Sequence, residues 1–159
     1  MREKFIALSC CLVVLVMSAF AHAGQSDDAI TKIINFYENH GCGASMRGGG
    51  PPIERDIEIL SDKMSISSEV FSAKFSIKDI DLVTEYGGGG RPQHTFWLNC
   101  RAGGNCVEHS IYKPSNSTRK RLKVALNVCN SPNIEDIESM RNALNAWAKS
   151  VGGSLRWHK

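Results

Sequence analysis

Cysteine spacing constrains this chain more than any other feature of its sequence. Of its six cysteines, Cys10 and Cys11 lie in an apolar N-terminal segment, and four follow it: Cys42, Cys100, Cys106 and Cys129. Cys100 and Cys106 flank the segment RAGGN, between two stretches with strand-like alternation. Facing residues of a hairpin lie about 4.5–5.5 Å apart at Cα, a separation that a disulfide can bridge. The sequence therefore predicts a hairpin closed by a Cys100–Cys106 disulfide.

The other two cysteines are assigned to each other by exclusion. A Cys42–Cys129 disulfide would tie the end of the first predicted helix to the strand before the last helix. Four cysteines allow more than one connectivity, so this pairing is left open by the sequence alone.

The N-terminal segment is typical of a secretory signal peptide. Arg2 and Lys4 precede an apolar run over residues 5–20, and small residues follow up to Ala23. This run is shorter than the roughly 20 residues that a membrane-spanning helix needs. We predict cleavage after Ala23, a single domain over residues 24–159, and a location in the periplasm or outside the cell. No stable membrane span is expected in the mature chain.

Hydrophobic periodicity predicts a helix near each end of the mature chain. The first is expected to begin with Ser26 as N-cap and to end at Gly41. The second, within NIEDIESMRNALNAWAKSVGG, has acidic residues at its start and glycines at its end. Its apolar stripe is expected to contain Ile134, Ile137, Met140, Leu144, Trp147 or Ala148, and Val151.

The region between the helices alternates with a period of two, which predicts strands. The fold class is therefore α+β: an antiparallel sheet or partial barrel, packed by a long C-terminal helix, preceded by a short N-terminal helix, and stapled by disulfides. The residues expected to face inward are Phe71, Ala73, Phe75 and Ile77, then Ile80 and Leu82, then Phe96, Leu98 and Cys100, and finally Leu122, Val124, Leu126 and Val128.

The segment HTFWLNCRAGGNCVEH raises the question of a metal site or a cysteine nucleophile with its base. Zinc ligands lie about 2.0–2.3 Å from the ion, whereas His94 and Cys100 are predicted to be about 20 Å apart on one strand. Cys106 and His109 point to opposite faces of a strand. A nucleophilic cysteine also needs a reduced thiol, which export disfavours. We predict no metal site, no cofactor and no catalytic residue in this segment.

Trp97 is a candidate binding residue because it is predicted on the face opposite Phe96 and Leu98. Packing of Trp97 against a helix is the favoured interpretation. The alternative is an exposed tryptophan beside His94 and Arg91, an arrangement that suits a binding surface.

The run KPSNSTRKRLK supplies the other candidate binding residues, Arg119, Lys120 and Arg121. Such a run suits an anionic partner, or it is a solvated strand entry. Nucleic acid is not expected, because aromatic residues do not alternate with the cations. The overall charge also does not favour nucleic acid. Loss of Arg2, Glu3 and Lys4 with the signal peptide would lower the formal net charge from +3 to +2, which is small.

The pieces FSAKFSIKDIDLVTEY, FWLNCRAGGNCV, RLKVALNVC and RNALNAWAKSVGG together resemble a pleckstrin-homology-like domain. The resemblance covers roughly residues 60–152 and rests on the order of a run of strands closed by an amphipathic helix. It implies a platform that binds lipids, peptides or proteins. Export and the small net charge do not favour the phosphoinositide-binding role.

These observations favour a small exported, non-enzymatic binding protein whose partner is another protein. An inhibitor or an immunity-type protein would fit a rigid, disulfide-linked scaffold that presents loops. One alternative is a small periplasmic or secreted enzyme that uses His94 or His109. Another is a structural component of the cell envelope.

Overall fold

The computed structural model describes residues 26–42, 56–87, 94–112, 116–129 and 132–158. The predicted signal peptide and Arg91 lie outside these ranges. Helix α1 covers residues 26–40, and helix α2 covers Ile134–Ser150. The strands, in chain order, are β1 (Asp56–Leu60), β2 (Lys63–Ser67), β3 (Phe71–Ser76), β4 (Ile80–Gly87), β5 (His94–Cys100), β6 (Val107–Ile111), β7 (Ser117–Arg121), β8 (Lys123–Val128) and β9 (Arg156–His158).

The strands form two sheets. A five-stranded sheet has the order β1-β2-β3-β6-β7, and a four-stranded sheet has the order β8-β5-β4-β9. Neighbouring strands are antiparallel except β4 and β9, which run parallel. The chain crosses from one sheet to the other after β3, after β5 and after β7. The predicted α+β class, with antiparallel strands and a C-terminal helix, is confirmed.

The Cys100–Cys106 disulfide is present, with Cα atoms 5.7 Å apart, but it does not close a hairpin. Strand β5 pairs with β4 and β8, whereas β6 pairs with β3 and β7. The predicted hairpin is therefore wrong. Ala102 and Gly103 have φ values of 50° and 70°, and this left-handed turn accompanies the passage of the chain into the other sheet. The disulfide joins the last residue of β5, in one sheet, to the residue just before β6, in the other.

The second disulfide, Cys42–Cys129, is also present, with Cα atoms 5.6 Å apart. It ties the end of α1 to the end of β8, as predicted. Two backbone hydrogen bonds flank it: Cys42 N donates to the Asn127 carbonyl at 3.0 Å, and Cys129 N donates to the His40 carbonyl at 2.9 Å. The segment after α1 is thus held along the edge of the four-stranded sheet.

One hydrophobic core lies between the inner faces of the sheets and the two helices. The helices run antiparallel, since Ser150 at the end of α2 contacts Ser26 in α1 at 3.2 Å, and His40 lies 3.7 Å from Asp136 near the start of α2. Trp147 is fully buried, and its indole N–H donates to the Ser61 carbonyl at 2.7 Å. This bond connects α2 to the turn between β1 and β2. The main helical contributions to the core are Ile33, Phe36, Tyr37, Ile137, Met140, Leu144 and Trp147.

Most of the residues predicted to face inward are buried, but four are not, and one of these is Val151, which follows α2 and is half-buried. A bulge between Ile80 and Leu82 shifts the register of β4, so Leu82 lies half-buried on the outer face and Val83 is buried instead. Leu122 occupies the bend between β7 and β8 and is 55% exposed. Ile134 is the first residue of α2 and is exposed, so the buried stripe of that helix begins at Ile137.

The capping residues predicted for the two helices are only partly confirmed. Asn133 caps α2 and forms a capping box with Asp136, and Gly152 adopts a φ of 79° after the helix. Ser26 is already helical, which contradicts its predicted role as the N-cap of α1. The short strand β9, beyond Gly152, was not predicted because three residues after a glycine pair carry too little periodicity.

Candidate functional site

Strand β7 forms one edge of the five-stranded sheet. It pairs with β6 from Val107↔Arg121 to Ile111↔Ser117, and it has no strand on its other side among the described residues. Thr118 and the residues after it up to Lys123 are exposed. The sequence places β-branched or long side chains along this strand, which suits an extended, solvated edge. Unpaired backbone groups at an edge are available to another chain.

Four cations lie at this edge, on five consecutive residues. Arg119, Lys120 and Arg121 belong to β7, and Lys123 begins β8. The first three make no ion pair with the described carboxylates, although Lys120 stands opposite Glu108 in register. We refer to residues 117–123, with these four cations and the exposed Leu122, as the cationic edge.

Trp97 adjoins the cationic edge through Lys123. The Lys123 ammonium lies 4.2 Å from the centre of the Trp97 ring, within the range of a cation–π contact. Trp97 is half-buried on the outer face of β5, whereas the helices pack against the inner face, where Phe36 contacts Phe96 edge-on. The favoured prediction that Trp97 packs against a helix is wrong.

His94 does not share the face of Trp97. Residues of a strand alternate between faces, and His94 lies with Phe96 on the inner face, with ring centroids 4.8 Å apart. The predicted surface of Trp97 beside His94 is therefore not formed. Arg91, the third residue of that surface, lies outside the described residues.

His94 belongs instead to a polar cluster between β4, β5 and α2. Arg141 donates two hydrogen bonds to the Glu85 carboxylate, from Nε at 2.7 Å and from Nη2 at 2.8 Å. His94 Nε2 lies 3.4 Å from the same carboxylate, without hydrogen-bond geometry. Trp157 of β9 lies against Arg141, with 5.7 Å from the guanidinium carbon to the ring centre, and its indole N–H donates to Asn145.

The charges of this cluster follow from burial and pairing. Burial raises the pKa of Glu85, but the hydrogen bonds and charge of Arg141 outweigh burial, so that the pKa lies below its ordinary value. Burial also lowers the pKa of His94, and the Glu85 carboxylate opposes this only in part. At neutral pH the cluster therefore contains a carboxylate, a guanidinium and a neutral imidazole. Arg141 already binds both carboxylate oxygens, so this arrangement connects α2 to the sheet.

His109 lies in the other sheet, on β6. Its ring is stacked on Phe71, with ring centroids 5.6 Å apart, and it is half-buried. His94 and His109, the two histidines of the segment HTFWLNCRAGGNCVEH, thus lie in different sheets and do not form one site. Within the described part of the chain, no group of three or more histidine, cysteine or acidic residues could hold a metal ion. Nor does any described helix have the length and apolarity needed to cross a membrane.

A groove of about 810 Å³ lies beside the cationic edge, on the outer face of the five-stranded sheet. Its lining includes Lys74, Glu108 and Lys120, which occupy one cross-strand row, together with Arg101 and Lys63. This groove was not predicted from the sequence. The alternation within DIEIL and KMSIS was its only signal, and pairing those strands with β6 and β7 required the three-dimensional order of the sheet.

No protein-family model, curated protein or solved structure matches this chain. The resemblance to pleckstrin-homology-like domains therefore remains a prediction from the order of the elements. Function has to be argued from the geometry of the chain itself.

Proposed function

We propose that this chain is an exported, non-enzymatic binding protein whose partner is another protein, bound at the cationic edge. One observation carries the proposal: among the described residues, no strand pairs with the outer edge of β7, and its three exposed cations, Arg119, Lys120 and Arg121, have no carboxylate partner. Charges that are not neutralised within the chain are available to a complementary partner and accelerate its association.

The surroundings of the cationic edge suit a binding surface. Leu122 adds an exposed apolar side chain between Arg121 and Lys123, and Trp97 adds a half-buried aromatic ring. Aromatic and arginine side chains contribute strongly to protein interfaces. The overall charge is small, so the attraction is local to this edge rather than a property of the whole surface.

The disulfides support both the compartment and the mode of action. Disulfides persist in oxidising compartments, which agrees with the predicted signal peptide and a location in the periplasm or outside the cell. Cys100 lies next to the cationic edge, since its backbone N–H donates to the Leu122 carbonyl at 2.8 Å. A preorganised edge loses little conformational entropy on binding, which suits an inhibitor or immunity-type protein.

The polar cluster of Glu85, His94 and Arg141 gives less support to an enzyme. A carboxylate that activates a histidine must be free to accept its proton or orient its ring. Here both Glu85 oxygens accept hydrogen bonds from Arg141, and His94 faces the inner side of the sheet. We assign this cluster a role in stability.

Site-specific photo-cross-linking in the organism that makes the protein tests the proposal. A benzoylphenylalanine placed at Leu122 reports on the cationic edge, and one at Ile134 is the control, because both side chains are exposed aliphatics. We expect a discrete polypeptide adduct from position 122 and none from position 134. The additional change Arg119→Glu should abolish the adduct. Absence of any polypeptide adduct at position 122, or equal adducts at both positions, would contradict the proposal and favour a component without a discrete partner.

A further inference from the structure

We infer that the partner contributes an acidic, extended segment that adds to β7 as a further strand of the five-stranded sheet. This inference rests on the proposed function and specifies its binding mode. It follows from the backbone of β7, from the faces on which its cations lie, and from the side chains beyond its end.

The backbone of β7 is regular along its whole length. All five residues of the strand pair with β6 in a regular antiparallel register. Alternate residues of an antiparallel strand direct their N–H and C=O groups away from the partner strand. In the part of the chain that the structure describes, no strand pairs with the outer edge of β7, so the N–H and C=O groups directed away from β6 are placed as strand addition requires.

The cations of β7 lie on both faces of the strand. Register places Lys120 with Glu108 and Lys74 on the outer face, whereas Arg119 and Arg121 share the face of His109 and Val107. Cross-strand neighbours of opposite charge stabilise a pair of strands. An added strand would place its own side chains on both faces in the same way. Acidic residues at three consecutive positions would therefore meet Arg119, Lys120 and Arg121, which defines the partner segment as acidic rather than merely amphipathic.

The end of β7 extends this surface. Leu122 is exposed in the bend, and Lys123 follows with its ammonium over the Trp97 ring. A segment that continues past β7 would meet an apolar side chain and another cation. The alternative role of these cations is protection from aggregation, because charged side chains on an edge strand discourage pairing with other chains.

Two synthetic peptides of equal length and charge separate strand addition from charge attraction alone. The first is acetyl-Thr-Glu-Glu-Val-Glu-Glu-Thr-amide, which can form a strand. The second has proline in place of threonine and valine, and proline lacks the backbone donor of a strand. Binding of each fluorescently labelled peptide to the disulfide-intact chain is measured by anisotropy. We expect the first to bind roughly tenfold more tightly than the second, because the second loses backbone hydrogen bonds.

Matched charge variants locate the site. In the first variant Arg119, Lys120 and Arg121 are all replaced by glutamine. In the control, Lys32, Lys78 and Lys149 are replaced by glutamine, which lowers the net charge equally at exposed positions that lie outside β7 and outside the groove beside it. The first variant should weaken binding of the strand-forming peptide by roughly tenfold or more, and the control by much less. Circular dichroism and urea unfolding show that both variants are folded.

The outcomes distinguish the inference from the proposed function. If both peptides bind equally and both depend on Arg119, Lys120 and Arg121, the charge-based site stands and strand addition is wrong. If neither peptide binds although the cross-link at position 122 forms, the partner is a protein but not an acidic extended segment. Binding to phosphatidylglycerol vesicles in place of the peptides, lost in the first variant, would assign the edge to an anionic membrane and overturn both.

Discussion

Arg141 of α2 holds the Glu85 carboxylate of β4 through two hydrogen bonds of 2.7 and 2.8 Å, and only 7% of the Glu85 side chain is exposed. This pair joins the C-terminal helix to a central strand of the four-stranded sheet. A carboxylate that loses its partner in such a position remains buried and unpaired. The stability lost in this way exceeds the net stability that the intact pair contributes.

Removal of the guanidinium should therefore destabilise the fold. We expect Arg141→Ala to lower the free energy of unfolding by about 2 kcal/mol, less than for a fully buried pair because Arg141 is partly exposed. Arg156→Ala is the matched control, since Arg156 binds Asp81 through a similar pair of hydrogen bonds but is largely exposed. Urea denaturation should show a clearly smaller loss for Arg156→Ala. Equal losses would contradict the assigned role of burial.

Protonation of His94 should destabilise the protein in mild acid. Because burial lowers the pKa of His94 in the fold, the unfolded chain takes up the proton first. The resulting stability is complete above the ordinary histidine pKa of about 6.5 and declines as the pH falls through and below that value. His94→Gln should remove this decline below about pH 6.5, measured by urea denaturation at successive pH values. An unchanged pH dependence in the variant would refute the prediction.

Glu85 should add a second decline at lower pH. Its pKa is also lowered in the fold, so its contribution is present above the ordinary glutamate value and is lost as the pH falls through the folded value. Glu85→Gln should flatten the unfolding free energy below about pH 4.5, in the same denaturation series. A steeper decline in this variant than in the original chain would show that the sign is wrong.

The two disulfides should contribute unequally to stability. The cysteines of Cys42–Cys129 are separated by 87 positions and those of Cys100–Cys106 by 6, and loop-closure entropy favours the longer loop. Replacing both cysteines by alanine should cost about 4 kcal/mol for the first pair and about 2 kcal/mol for the second. Urea unfolding of the two double variants provides the comparison. A larger loss from the shorter loop would mean that joining the two sheets matters more than chain entropy.

Gly41 should tolerate no side chain. A Cβ atom at Gly41 would clash with the Tyr37 carbonyl oxygen, a backbone atom that cannot move aside. Gly41→Ala should therefore lower stability by about 2 kcal/mol, as expected for overpacking in a tight site. Gly87→Ala is the control, because the nearest atom to its added Cβ is the His94 ring nitrogen at 3.6 Å. Thermal unfolding should leave the control within a few degrees of the original chain, and a comparable loss in both variants would argue against the steric cause.

The sequence predicted those features that depend on local periodicity and on the number of cysteines. The stripe from Ile137 to Trp147 and the alternation from Val124 to Val128 have strong patterns, and both are buried as expected. Both disulfides were also predicted, because the four cysteines outside the N-terminal segment allow few pairings. The partition of β5 and β6 into different sheets could not be predicted, since a short turn serves a hairpin and a sheet crossing equally well.

The candidate site was predicted only as a set of residues. Arg119, Lys120 and Arg121 were identified from charge, but their position on the edge strand of the described sheet depends on the pairing of β7 with β6. The bulge at Leu82 and the contact between Arg141 and Glu85 join residues through tertiary packing, for which one sequence contains no signal. The relation of Trp97 to Lys123 likewise required the register of β5 with β8.

Amide hydrogen exchange of β7 tests the central claim most directly. Exchange of the backbone amides from Ser117 to Arg121 is followed by NMR with and without the strand-forming acidic peptide. The account predicts that alternate amides, those directed away from β6, become protected when the peptide binds, while the protection of β1 at the opposite edge of the sheet is unchanged. Peptide binding with no new protection in β7, or with equal protection at both edges, would contradict it.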